Sequence, residues 1–287
     1  MVEKLRHPSQ ALRSIKRRTR RRAGLPPTRP RGWVVGPPDF VGVGAQRSGT
    51  TWWYGLICQH PAIQQGPGKE KHFFDRFHGR DLREQDLREY QQLFPRPPGA
   101  LTGEWTPRYM HDFWTPALLA QAAPQAKILV LLRDPWDRFR SGNAHECRVL
   151  HKLLRRDRSD YLKATIVGDA LSRSLYSRQL QGVFEQFDRE QVLVLQYERC
   201  REDPAEQLRR TYAFLGLERA DYLPASITSP APPSSWLPLE SGDHWSSAQA
   251  ALAHDATELQ AVVPEIDLGL WPSLTADAPD LIGTTDR

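Results

Sequence analysis

The sequence is poor in features that would staple or anchor a chain. Its three cysteines in 287 residues, Cys58, Cys147 and Cys200, are odd in number and far apart. They form no disulfide framework and show no metal-ligand spacing. No run of 18 or more apolar residues is present to span a membrane, and the N-terminal stretch lacks the apolar segment of a secretory signal. No internal repeat is visible. From Leu223 to Ser247 there is no Lys or Arg and a single glycine, Gly242. These absences lead us to expect reduced thiols, with Cys58 and Cys147 buried on helices, in a cytoplasmic protein.

Charge is unevenly distributed. Residues 1–32 carry eleven Lys or Arg against one acid, Glu3, a net of +10; since the whole chain is +5, the remainder is −5. The cluster from Lys16 to Arg22 is therefore a basic arm rather than a sign of a basic enzyme surface. We read it as a solvated, partly disordered extension. It suits at most a weak contact with an anionic membrane surface, and no specific nucleic acid is expected as a partner. Hydrophobic content of 39% and charged content of 25% are globular values.

What the chain does have begins at Phe40. The run Phe40-Val-Gly-Val-Gly44 reads as a buried strand, Ala45-Gln-Arg47-Ser48-Gly49 as a turn, and Thr50-Thr51-Trp52 as the opening of a helix. In that geometry, backbone N–H groups at a helix N-terminus hold an anion. The spacing Gly44-x4-Gly49 mimics a Walker A loop, but Thr50 stands where the nucleotidase lysine belongs. The cation lies inside the loop instead, at Arg47.

The segment Arg47-Ser-Gly-Thr-Thr-Trp52 resembles the 5′-phosphosulfate loop of sulfotransferases that use 3′-phosphoadenosine 5′-phosphosulfate (PAPS), with arginine in place of the usual lysine. A second motif agrees. The apolar run Lys127–Leu132 reads as a strand buried on both faces, and Arg133 stands at its carboxyl end, where open α/β sheets bind ligands. Ser141 follows eight residues on, about two helical turns at ~3.6 residues per turn. This pair resembles the family's 3′-phosphate motif, which implies that Arg133 and Ser141 hold that phosphate.

A third segment, Lys69-Glu-Lys-His-Phe-Phe-Asp75, resembles one found in heparan sulfate and other carbohydrate sulfotransferases and their bacterial relatives. There the glutamate is the general base, which implies that role for Glu70. A hydroxyl is a poor nucleophile until a carboxylate within reach takes its proton, and Lys69 and Lys71 would help keep Glu70 ionised. His72 is the rival base. Gly103-Glu-Trp-Thr-Pro-Arg-Tyr109 resembles a further family segment, except that Trp105 replaces a lysine that helps neutralise the transferring group. Arg108 and Lys69 are the candidates to replace it. Tyr176, in Ser172–Tyr176, matches a stretch near the 3′-phosphate and acceptor. Trp52 matches a residue that stacks on adenine in the small-molecule branch, and core packing on the first helix is the equal alternative. The basic glycine-rich loop that closes over the nucleotide late in family members has no match here.

Strands at 39–44, 100–104, 127–132 and 191–196 alternate with helices at 50–59, 82–93, 114–122, 136–150, 174–187 and 204–215, with a late helix at 246–262. This order predicts a single α/β domain with a P-loop-like parallel sheet flanked by helices on both faces. The expected organisation is a basic arm over 1–32, a sulfotransferase domain over 33–275 and a tail over 276–287. The resemblance implies an enzyme that moves a sulfuryl group from PAPS, without a metal, to a hydroxyl of a small molecule or glycan. Arg47, Ser48, Gly49, Thr50, Thr51, Trp52, Arg133, Ser141 and Tyr176 would hold the donor, with Glu70 and Arg47 catalytic. A bacterial member is expected, because animal Golgi enzymes of this kind carry a membrane anchor. The alternatives are a P-loop nucleotide kinase and a nucleotide-binding protein without activity.

Overall fold

A computed structural model of the chain describes residues 30–149, 160–228 and 244–274. Most of the basic arm, the tail from 276 and much of the Pro/Ser-rich stretch lie outside the described residues. Two strands of two residues, β1 (Val34–Val35) and β3 (Pro95–Arg96), pair antiparallel at the margin. The main sheet holds β2 (Phe40–Gly44), β4 (Gly103–Trp105), β5 (Lys127–Leu132) and β6 (Val192–Gln196). Its spatial order is β4-β2-β5-β6, with every neighbouring pair parallel.

Continuous apolar runs form these strands because both faces are covered. Val41, Ile128, Val130 and Val194 pack on one face with helices α2 (Glu84–Gln91), α3 (Thr115–Ala122) and α6 (Ser177–Phe184), and with the late helix α9 (His244–Val262). Phe40, Leu129, Leu131, Leu193 and Leu195 face the other way, against α1 (Thr50–Ile57), α7 (Tyr197–Glu202) and α8 (Pro204–Leu215). Helix α4 (Pro135–Val149) leaves the end of β5 and packs against α5 (Asp160–Ser172).

The expected α/β class is therefore observed, with differences in detail. Helix α6 starts at Ser177, not 174, because Asp255 accepts the backbone N–H groups of Tyr176 and Ser177 and caps the segment there. Helix α2 starts at Glu84, fixed by Asp86 accepting the Arg83 N–H at 2.9 Å. Helices α5 and α7 were not expected. At α7, strand β6 runs straight into the helix with no punctuating turn residue. Helix α8 is as the sequence signals: Asp203 accepts from Glu206 N at 3.0 Å, Pro204 opens the helix, and Gly216 closes it at φ 75°.

The chain leaves β2 toward β4 on one side and leaves β5 toward β6 on the other. The carboxyl ends of β2 and β5 thus flank a topological switch point, where such sheets open a crevice.

Candidate active site

At that crevice, β2 hands over to α1 through residues 45–49. Arg47 and Gly49 both adopt left-handed backbone, at φ 70° and 86°. A Cβ on Gly49 would lie 2.5 Å from Cε2 of Tyr197, so only glycine lets that ring close against the turn. Gly49 also caps α1 without a side chain, so no side-chain acceptor occupies the amides of its first turn. The Ser48 N–H is already used, donating to Ala45 O at 3.3 Å, and the Ser48 side chain is buried.

A cleft of about 370 Å³ opens over this turn. Arg47, Lys69 and Arg133 reach its wall, together with Thr50, Thr51 and Ser141. Arg47 Nε donates to Ser141 Oγ at 3.1 Å. Arg133 pairs with Asp137 at 2.6 Å and lies over the Tyr197 ring. Burial, and after it the charges of Arg148 and Arg133, lowers the Arg47 pKa. Beneath the turn, Arg138 is fully buried and donates to Gln46 O, Ala170 O and Ser174 Oγ; burial depresses it to about 10. Cations held partly out of water gain most from an anion brought to them.

Lys69 and Glu70 line the same cleft beside the start of α1. Lys69 Nζ donates to Thr50 Oγ1 and Thr51 Oγ1, each at 3.0 Å, and pairs with Glu70 Oε1 at 3.2 Å. Burial lowers the Lys69 pKa, with Glu70 opposing the shift. Glu70 Oε2 is 3.0 Å from His72 Nε2, and His72 Nδ1 is 3.0 Å from Asp75 Oδ2. Both contacts are hydrogen bonds when the ring carries both protons. Among the described lining residues Glu70 is the single carboxylate.

A protein-family model described as a sulfotransferase domain matches residues 37–227. The chain belongs to the sulfotransferase domain family. It is 31% identical over 189 residues to heparan sulfate glucosamine 3-O-sulfotransferase 3B1 of Mus musculus, covering 63% of this chain and 47% of that protein. It is 29% identical over 187 residues to heparan sulfate glucosamine 3-O-sulfotransferase 6 of Homo sapiens, covering 63% and 53%. The chain thus spans about half the length of the curated relatives it matches. Among solved structures, a sulfotransferase from Alicyclobacillus acidocaldarius superposes with a TM-score of 0.64 at 26% identity, covering 83% of this chain and 99% of that one.

Within this sulfotransferase domain, several expected residues take other places. Trp105 is fully buried and donates from Nε1 to Gly44 O at 3.1 Å. Its ring fills the space above Gly42, where a Cβ would stand only 2.0 Å away. Arg108 is drawn to Asp112 at 2.6 Å and is not part of the cleft wall. Tyr176, expected at the nucleotide, is also fully buried; its hydroxyl donates to Arg133 O at 3.0 Å, so it supports Arg133 from below. Trp52 does line the cleft, with its ring edge-on to Tyr197. Of the cysteines, Cys200 is the buried one, whereas Cys58 and Cys147 are half-buried, and Cys58 falls just past the end of α1.

The cleft of the sulfotransferase domain also takes in His145 and Tyr197, neither of which was singled out in the sequence. Burial, and then Arg47, lowers the His145 pKa. Each had a signal. His145 follows Ser141 by one helical turn on the same face, and Tyr197 stands at the carboxyl end of a strand. Among the described residues no helix is long and apolar enough to cross a membrane. No group of three His, Cys, Asp or Glu among them is arranged to hold a metal ion.

Proposed function

We propose that the protein is a sulfotransferase that moves a sulfuryl group from PAPS to the hydroxyl of a sugar or other alcohol. The observation that carries this reading is that one cleft gathers cations, the start of α1 and a single carboxylate, Glu70, with Lys69 bonded both to Thr50 and Thr51 and to Glu70.

The donor set suits such a group: the partly desolvated cations Arg47, Lys69 and Arg133, the hydroxyls of Thr50, Thr51 and Ser141 and the first amides of α1 are ligands for a polyanion with two separated phosphate sites. When bound, the donor supplies a sulfuryl group whose bond to the bridging phosphate oxygen breaks, that oxygen keeping the electron pair. Arg47 and the first amides of α1 meet the negative charge that develops there. Arg133 and Ser141, on the far side of Arg47, hold the 3′-phosphate, and Trp52 offers its face to the base. Glu70 takes the proton from the acceptor hydroxyl as its oxygen bonds to sulfur. His72, hydrogen-bonded to Glu70 and anchored by Asp75, gives that proton a route outward. No residue in this scheme calls for a metal.

Calorimetric titration with 3′,5′-adenosine bisphosphate and with ATP, each with and without Mg²⁺, tests the reading. Metal-independent binding of the bisphosphate, lost on Arg133→Ala and absent for ATP, is the expected result. Preference for Mg-ATP would replace it with the nucleotide kinase alternative.

A further inference from the structure

Trp105 stands where the family segment it resembles has a lysine, yet the cleft still has an ammonium group, that of Lys69, bonded to Thr50 and Thr51 and to Glu70. We propose that Lys69 contacts the transferring sulfuryl group and is a catalytic residue that takes over the role of the displaced lysine. The inference rests on the sulfotransferase reading.

Position follows from the direction of transfer. The acceptor oxygen activated at Glu70 must attack a sulfur held at the start of α1, so the sulfuryl group passes between those two points. Lys69 Nζ contacts both, at 3.0 Å from Thr50 Oγ1 and Thr51 Oγ1 and 3.2 Å from Glu70 Oε1. Its side chain is only 13% exposed, so its charge acts in a medium that screens less than water.

Arg47 is assigned to the bridging oxygen, and three further cations of the neighbourhood have carboxylate or carbonyl partners of their own. Arg108 is held by Asp112. Lys71 turns to the carbonyls of Pro67 and Gly68 and lies over the Phe94 ring. Arg133 pairs with Asp137 beyond the Tyr197 ring, at the end of β5.

The backbone links the two positions: Trp105 N donates to Lys69 O at 3.0 Å, so the strand at 105 helps fix the residue that carries the ammonium group. The Trp105 indole is in turn seated over Gly42, which has no Cβ to oppose it. A charged side chain at 105 would enter the core, whereas one at 69 reaches the cleft without leaving the surface.

A comparison of two ligands isolates the contact, because 3′,5′-adenosine bisphosphate shares every group of PAPS except the sulfuryl. Titration of wild-type protein, Lys69→Met and Lys69→Arg with each should show the sulfated donor binding more tightly to wild type. Lys69→Met should reduce donor affinity about tenfold or more, the scale of a charge-assisted hydrogen bond. Bisphosphate affinity should fall by less, so that the ratio of the two affinities drops, and Lys69→Arg should retain part of the preference. An unchanged ratio of the two affinities, or an equal loss of both, overturns the assignment. Wild-type protein that binds neither ligand overturns the donor assignment itself, which is a separate failure.

Discussion

Arg47 Nε donates to Ser141 Oγ at 3.1 Å, joining the turn after β2 to the second turn of α4 across 94 residues of sequence. Two motifs that are separate in the chain thus share one hydrogen bond, and the 5′ and 3′ ends of a bound nucleotide would be read by linked groups. Ser141→Ala should therefore disturb Arg47 as well as remove a hydroxyl. Affinity for 3′,5′-adenosine bisphosphate should fall about tenfold, as expected for hydrogen bonds to a charged partner. Calorimetry checks this, and an affinity within twofold of wild type would show that the link has no bearing on binding.

Glu70→Gln keeps the shape of the wall and removes the base. Release of bisphosphate from PAPS in the presence of a hydroxyl acceptor should slow at least about 100-fold, the usual contribution of a positioned base. Bisphosphate affinity should hardly change. Comparable loss of both would assign Glu70 to binding instead.

Trp105→Lys restores the residue found in related sequences but puts an ammonium group into the core. Losing a buried Trp costs roughly 3–5 kcal/mol, and the buried charge adds to that. A thermal midpoint at or above wild type would mean that the indole packing on Gly42 is dispensable.

Gly49→Ala tests the turn. It combines φ 86° with a methyl group 2.5 Å from the Tyr197 ring. A loss of roughly 1–3 kcal/mol in chemical denaturation is expected for such a forced backbone. No loss would show that Tyr197 moves aside freely.

Glu198 gives the protein a pH-dependent stability. Its carboxylate accepts from Asp134 N and Trp271 Nε1, each at 3.0 Å, and burial raises its pKa from 4.5 to about 7. The folded state therefore keeps a proton that the unfolded chain releases above about 4.5. Stability should decline between about pH 4.5 and 7 and then level off, by about 3 kcal/mol in all. Asp134, also raised by burial, adds to the slope in the same direction. Denaturation midpoints of wild type and Glu198→Gln across this range check it: the variant should show a shallower decline.

Much of the architecture was legible because it rests on local rules. Apolar runs such as Lys127–Leu132 read as buried strands. The Asp203-Pro204 start and Gly216 stop bracketed α8, and the Gly/Ser turn before Thr50 marked the start of α1. Helix α7 was missed because β6 runs into it without a turn residue between them. The family resemblance pointed to Glu70, Arg47, Arg133 and Ser141 as a set, and the structure brings them to one cleft.

The sequence by itself determined the fold class, the Gly/Ser turn between β2 and α1 and the family segments, since each is carried by neighbouring residues whose spacing sets their geometry. Only the tertiary structure decided which cation meets Glu70. Lys69 and Arg108 were equal candidates in the chain, and contacts across 18 to 19 residues place Lys69 on Thr50 and Thr51, while Asp112 holds Arg108 elsewhere. The same holds for Tyr176 and Trp105, which are buried away from the cleft wall. Spacing tells what a residue can reach, but packing from distant segments decides which way it turns.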